Sequence, residues 1–432
     1  MMQVNSVDSH QLPQQRIENS CKSFFKRYFN TKSLITAILF SAPLYLSSFG
    51  ENFFLQLIIS IISIVAIYSF LNIKQSYFQT GFFIGIFWFW WVGLSFRYYD
   101  LTWMIPIIIL GLGIGYGLIF WGIDKIFNIF KFKILNFEIS KILWGVFLIF
   151  GFDYLRPFTF DWLKPEVLLA NSFFTPYKTT LGLIVLSAFF FKAKRPGFIL
   201  LLLIALILPK PSLTLPPLKI KLVTTYVPQD KKWLPSYIPK EIKDNFKYIN
   251  DAIKEHYDVV VLPESAFPLF LNTNEKLMQK LINLSQKITI ITGALHLKNQ
   301  KYYNSTYVFE NKKVTILDKH VLVPFGEYIP LPFFQEEINK IFFRGASDYK
   351  TSSHFGIFTI KKIKFINAIC YEATIEDLYK LNPKYIIALS NDAWFMPSIQ
   401  PVLQKLLIKT YAYKFKKVVF HSINGYQSYV VK

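Results

Sequence analysis

Cysteine is nearly absent from this 432-residue chain: only Cys21 and Cys370 occur, in unlike contexts. No disulfide framework is implied, and pairing says nothing about the redox compartment. The six histidines show no paired ligand spacing, and H-E-x-x-H does not occur, so no metal is expected. A Walker motif and a G-x-S-x-G elbow are also missing, which leaves no nucleotide and no other cofactor to expect. Acidic residues number 27 against 48 Lys and Arg, giving a formal charge of +21. Nucleic acid is a weak explanation of that excess. The lysines are scattered, without zinc-finger spacing, a basic helix face or an aromatic ribonucleoprotein motif.

What is abundant is apolar. Hydrophobic residues make up 53% of the chain, too many for a wholly soluble protein of this length, so part of it is expected in lipid. Residues 1–33 are polar and end in Lys22, Lys26, Arg27 and Lys32, which suggests a cytoplasmic tail. A cleaved leader is not expected, because no small-residue cleavage site follows the first apolar run and further runs come after it. Apolar runs recur at 34–50, 53–73, 81–99, 103–123, 142–155, 179–191 and 197–208, predicting a multi-span helical domain of about seven crossings over 34–208. Basic residues crowd the tail, the 124–141 loop (Lys125, Lys131, Lys133, Lys141) and the 192–195 turn (Lys192, Lys194, Arg195). If the spans alternate, these segments share one side, and the positive-inside rule makes that side cytoplasmic. Everything after Pro209 is then expected outside the inner membrane, on the periplasmic side.

Within the fourth run, the glycines of "GLGIGYG" (111–117) have no strand before them, so close helix packing is expected rather than a phosphate loop. Asp153 and Arg156, at the end of the fifth run, read as interfacial anchors or a lipid head-group contact. Residues 209–217, "PKPSLTLPP", form a stiff linker. From 218 to 432, short β-type runs alternate with amphipathic helices, predicting a layered α/β domain. Strands are expected at 219–227, 257–262, 287–293, 302–310, 355–360, 363–370, 384–390, 417–422 and 427–431. Helices are expected at 240–256, 274–286, 373–380 and 398–415.

In this second domain a chemically useful residue lies at or near the end of three apolar strands: Glu264 in "VVLPESAFP", Lys319 in "LDKHVLVPFGE" and Cys370 in "AICYE". Taken singly, each has an ordinary reading: a solvated carboxylate, a snorkelling lysine, a buried thiol. Cys370 is placed where a strand turns into a probable helix, whose free N–H groups and dipole favour thiolate and can hold an oxyanion. That context makes it a candidate nucleophile.

The order Glu, Lys, Cys with these flanks resembles the nitrilase superfamily, whose αββα sandwich carries a Glu-Lys-Cys triad. "LVPFGEYIPL", "ICYE", "LSNDAWF", "VPQDKKW" and "YLRPF" are similar to its membrane-fused branch, the apolipoprotein N-acyltransferase family, along nearly the whole chain. The resemblance implies that Glu264 is the general base, Lys319 the oxyanion-stabilising cation and Cys370 the nucleophile. Glu327 and Glu372 match supporting acidic positions, and Tyr371 supplies an oxyanion N–H. Trp233, Asn391 and Trp394 fall at positions for substrate or lipid, although an aromatic in this chain is also accounted for by packing. The resemblance further implies an acyl chain passed from a phospholipid through a Cys370 thioester to the α-amine of diacylglyceryl lipoproteins.

The family pattern usually continues past "HSINGYQSYVV" with more sheet and a closing helix, whereas this sequence stops at Lys432, as a shortened member or a truncated one. Ser398 stands where a glycine-containing turn is common, which leaves the local loop shape open. A membrane-tethered amidase acting on a soluble amide or nitrile is the alternative enzyme; a non-catalytic scaffold or transporter is the alternative of another class. Residues 328–346, which mix aromatic clusters with charges, read as an amphipathic lid or an ordinary loop.

Overall fold

The computed structural model describes residues 30–134, 137–157, 160–324, 327 and 349–432. The tail and the 328–346 segment therefore lie outside the described residues. Each apolar run forms a helix: α1 (Thr31–Leu46), α2 (Phe53–Asn72), α3 (Tyr77–Phe89), α4 (Ile105–Phe127), α5 (Ile139–Phe150), α6 (Lys178–Lys192) and α7 (Gly197–Ile207). The first three begin where a side chain caps the free N–H groups. Asn30 accepts from Lys32 N–H, Asn52 from Leu55 N–H and Ser76 from Gln79 N–H.

Four of these segments, continued by 3-10 turns in three cases, are long and apolar enough to span: Thr31–Phe49, Phe53–Asn72, Tyr77–Tyr99 and Thr102–Phe127. Helices α5, α6 and α7 have 12, 15 and 11 residues, short of the roughly 20 that a hydrocarbon core needs. The seven apolar runs are thus four long helices and three short ones. The short helices nonetheless run between the same two ends of the bundle. At one end Asn30 N–H donates to Gln79, Lys141 Nζ to the Ile73 carbonyl and Asn72 to the Ala188 carbonyl. At the other, Thr175 donates to the Leu208 carbonyl, and Glu51 and Asn171 meet the second domain.

Helix α4 shows how the bundle treats lipid as its solvent. Ile107, Leu110, Ile114 and Leu118 form an exposed apolar stripe, while Gly113, Tyr116, Gly117 and Phe120 are buried on the opposite face. Of the four clustered glycines, Gly113 and Gly117 are the packing pair: a methyl on either would come to about 3 Å from Phe82 or Phe78 of α3. Gly111 and Gly115 face open space. Asp153 and Arg156 each meet opposite charges, and the Arg156 side chain stays half exposed. Lys178 Nζ lies 2.8 Å from Asp153 and 2.6 Å from Glu166, and Arg156 faces Asp161, which pairs with the buried Lys164 at 2.5 Å.

The second domain holds two sheets. Strands β1 (Ile220–Leu222), β2 (Thr224–Thr225), β3 (Val259–Val261), β4 (Phe267–Phe270), β5 (Thr289–Lys298), β6 (Lys301–Glu310) and β7 (Lys313–Asp318) come before residue 319. Strands β8 (Ile357–Ile360), β9 (Ile363–Ile369), β10 (Tyr385–Asn391), β11 (Val418–Asn424) and β12 (Tyr429–Val431) come after it. The first sheet runs β1-β3-β5-β6-β7 with β4 beside β5; the second runs β8-β9-β10-β11-β12 with β2 beside β11. Strands β4 and β7 fall outside the expected elements.

Alternation assigns the faces. Val259, Val261 and Ile291 meet Phe365, Ile387 and Leu389 between the sheets. Val260 and Ile290 turn outward to α8 (Ile238–Lys254) and α9 (Glu275–Leu284). The outer face of the second sheet, with Ile366 and Ala368, is covered by α10 (Gln400–Phe415) and shares a core with the membrane helices. The order is therefore helix, sheet, sheet, helix, with the second helical layer seated on the bundle. Lys405 and Lys409 of α10 each lie 2.8 Å from Glu51.

Candidate active site

Parallel strands β3, β9 and β10 end on the same edge, and β7 finishes beside them, so the loops beyond them converge. In sheets of this kind, sites form beyond the carboxyl ends of parallel strands. Glu264 comes after β3, Lys319 after β7 and Cys370 after β9, and Asn391 ends β10.

Cys370 sits at φ 54°, a left-handed conformation that an L-residue adopts only where the surroundings demand it. The turn lifts the thiol out of the strand, and the residue keeps intermediate exposure. Cys370 opens a five-residue 3-10 turn, Cys370–Thr374, with the four-residue helix Glu376–Tyr379 after it; the expected helix at 373–380 is not continuous. A helix dipole at the thiol is correspondingly small. Burial, and after it the nearby Glu264 charge, pushes the thiol well above its ordinary pKa, with Lys319 acting in the opposite direction. These surroundings favour the neutral thiol, against the pull towards thiolate expected from a helix start, and leave its deprotonation to a nearby base.

The thiol and the Glu264 carboxylate lie close enough for each to shift the other's pKa. Glu264 is buried, and burial raises its pKa; Lys319 opposes the shift and Glu327 adds to it. Both of its oxygens are also held by nitrogen donors. Asn304 Nδ2 reaches Oε1 at 2.8 Å and the Asn391 N–H reaches Oε2 at 2.8 Å. Lys319 is fully buried, and its ammonium lies 2.7 Å from Glu327. Desolvation works against that charge, but the Glu327, Glu264 and Cys370 groups outweigh it and raise the lysine pKa. One fixed cation therefore serves two carboxylates and a thiol.

Glu327 accepts from Asn304 Nδ2 at 3.1 Å and from Val323 N–H at 2.9 Å. Glu372 is buried, its charge is coupled to Lys319, and its other partners are backbone donors. Its carboxylate accepts the N–H groups of Ile369 at 2.7 Å, His320 at 2.6 Å and Val321 at 3.0 Å. It ties the Cys370 turn to the segment after Lys319. Tyr371 is buried with its ring stacked on Phe160 (5.8 Å) and Trp162 (6.2 Å), and Trp162 Nε1 donates to Thr374 Oγ1 at 2.7 Å. Trp394 packs against Tyr98 and Tyr99 of the membrane domain, and Trp233 is 38% exposed. Asn391 is buried, with both ends of its amide engaged by Gln229 and Asn424 and its backbone N–H on Glu264.

Two residues of the site, Asn304 and Gly293, lie outside the sequence-based expectations. A lone asparagine inside the ten-residue run of β6 was a signal for the first. No local pattern marks Gly293. A methyl there would stand 2.4 Å from the Ser265 nitrogen and 2.7 Å from Glu264 Cα, and Ser265 itself is at φ 49°. Gly293→Ala is expected to displace Glu264 and lower activity at least about tenfold. A crystal structure or a thiol alkylation rate checks it, and an unchanged rate defeats it.

Residues 26–210 match the family described as the apolipoprotein N-acyltransferase integral membrane domain, and residues 239–419 match the carbon-nitrogen hydrolase family. The apolipoprotein N-acyltransferase of Wolinella succinogenes is 38% identical over 92% of this chain and 95% of its own length. That of Campylobacter jejuni is 37% identical over 95% of this chain and 92% of its own. These relatives span both domains, so the chain belongs to the apolipoprotein N-acyltransferase family, membrane-embedded N-acyltransferases with a nitrilase-type domain.

Proposed function

We propose that the chain moves an acyl chain from a phospholipid, through a Cys370 thioester, to the α-amine of the N-terminal diacylglyceryl cysteine of lipoproteins. The observation that carries this reading is where the triad stands: its turn packs through Tyr371 and Thr374 onto Phe160 and Trp162 of the lipid-facing domain. An amidase of soluble substrates has no use for that seat, and both substrates here bring long chains that gain by staying in lipid.

As the ester carbonyl approaches, Glu264 takes the thiol proton, and sulfur attacks the carbonyl carbon. Lys319 and the Tyr371 N–H stabilise the oxyanion. Collapse breaks the bond to the glycerol oxygen, which takes the proton from Glu264 and leaves as lysophospholipid. The amine then attacks the thioester, Glu264 accepts its proton, and the thiol is regenerated as the amide forms. Phospholipid without acceptor should give an acyl adduct on Cys370, detected by mass spectrometry; ammonia released from a soluble amide would favour the amidase reading instead.

The division at 34–208, 209–217 and 218–432 and an outward-facing catalytic domain are part of the same proposal. Alternating helices and the basic 124–141 and 192–195 segments at the end remote from the catalytic domain support it. A cysteine introduced at Lys131 should resist an impermeant thiol reagent in intact cells, whereas one at Lys312 should react. The reverse pattern would sink the orientation.

A further inference from the structure

Behind Glu264 stands a chain of buried amides that the reaction itself does not use. Asn424, at the end of β11, is fully buried, and every hydrogen-bonding position of its amide is filled. Its oxygen accepts from Thr225 Oγ1 at 2.8 Å and from Val227 N–H at 2.8 Å. Its nitrogen donates to the Val227 carbonyl at 3.0 Å and to Asn391 Oδ1 at 2.7 Å. Asn391 Nδ2 then donates to Gln229 Oε1 at 2.7 Å, while the Asn391 backbone N–H holds Glu264 Oε2. The dipoles run head to tail, from the Thr225 hydroxyl through two side-chain amides to Gln229, and such chains reinforce each member.

This arrangement links several elements of the second sheet. Strand β2 pairs with β11 through Thr225 and Asn424, and β10 pairs with β11 through Asn391 and Asn424. The same asparagine therefore sets both the end of β10, where the Glu264 donor lies, and the Thr225–Trp233 segment, whose Tyr226 and Trp233 are exposed. Gly425, next in the chain at φ 91°, lets the backbone pass within contact of Ala393, since a methyl there would stand 2.6 Å from the Ala393 nitrogen. That close passage keeps β11 against the turn after β10.

We infer that Asn424 is a positioning residue for the reaction: acting through Asn391, it aims a backbone N–H at Glu264 and links the Thr225–Trp233 segment to the general base. Asn391 belongs to the same unit. The inference rests on Glu264 being the base for Cys370. A donor to the carboxylate favours its charged form, so losing the donor makes Glu264 protonate at higher pH and leaves less of it, at a given pH, as the free carboxylate that can take the thiol proton.

The test is the rate of Cys370 alkylation by iodoacetamide against pH, in a Cys21→Ser background so that one thiol reports. Asn424→Ala should lower the rate at neutral pH about tenfold and move the midpoint upward by about one unit, with the protein still folded by its melting curve. Asn391→Ala combined with Asn424→Ala should be little worse than either alone, because the two act in series. A folded Asn424→Ala protein with the wild-type rate and midpoint overturns the inference, as do strictly additive losses. If Asn424→Ala does not fold, Thr225→Val, which removes one donor without changing shape, must still shift the midpoint upward, and a wild-type profile overturns the inference. Glu264→Gln separates this from the reading beneath it. Should that variant alkylate as the wild type does, Glu264 is not the base, whatever the amide variants show.

Discussion

Cys370→Ala should abolish acyl transfer and the covalent adduct together. Among the described residues of the site no other side chain is placed to serve as nucleophile: Glu264 and Glu327 are carboxylates already engaged by Asn304, and the same carboxylates favour the ammonium form of Lys319. Wild-type protein given phospholipid and no acceptor should release lysophospholipid in a burst matched by enzyme-bound acyl chain, because the second step cannot proceed. Hydroxylamine should remove that chain, as it does any thioester. A diacylglyceryl peptide with a free α-amine should discharge it, and its N-acetylated form should not. Acyl transfer surviving in Cys370→Ala, or no hydroxylamine-sensitive adduct in the wild type, would show that the mechanism is wrong.

Lys319→Met should cost nearly as much, for two separable reasons. The first is catalytic: removing an oxyanion-stabilising group costs about 2.7 to 4 kcal/mol, a fall of roughly 10² to 10³ in rate. The second concerns the fold, since Lys319 is fully buried and Glu264 and Glu327 would face each other with no cation. Breaking a buried pair on one side costs about 3 to 5 kcal/mol. Glu264, whose pKa Lys319 holds down, should then protonate more readily, so the variant should be stabilised on acidification over the pH range where the wild type is not. Adding Glu327→Gln removes the stranded partner. The double variant should recover much of the melting temperature and none of the rate. A Lys319→Met protein within about tenfold of wild-type activity would remove Lys319 from the chemistry.

The strands that deliver the triad were legible because burial on alternate faces writes a period of two into the chain. Val259–Val261 and Ile363–Ile369 read as strands from their residues alone. Strand β7 was not, because its pattern of exposed and half-buried residues, on the sheet edge, lacks a strong apolar face. The seven apolar helices were legible for the same reason of burial, here in lipid. Their lengths were less so, since a run such as 142–155 includes the Gly151–Asp153 turn, where the α-helix has already ended.

By itself the sequence determined the two-part organisation, the apolar and layered classes of each part, and the choice of the three candidate side chains. Those are carried by hydropathy, local period and residue chemistry, all properties of short stretches. Tertiary structure alone decided the rest. It pushed the Cys370 thiol pKa up, because burial and the Glu264 charge come from residues distant in the chain and the turn beside it is too short to have much dipole. It brought Asp153 and Arg156 against Lys178 and Asp161, and set the Asn391 N–H on Glu264. In each case the partner that fixes the role is distant in the chain or set by packing, and distance in sequence is what a local pattern cannot express.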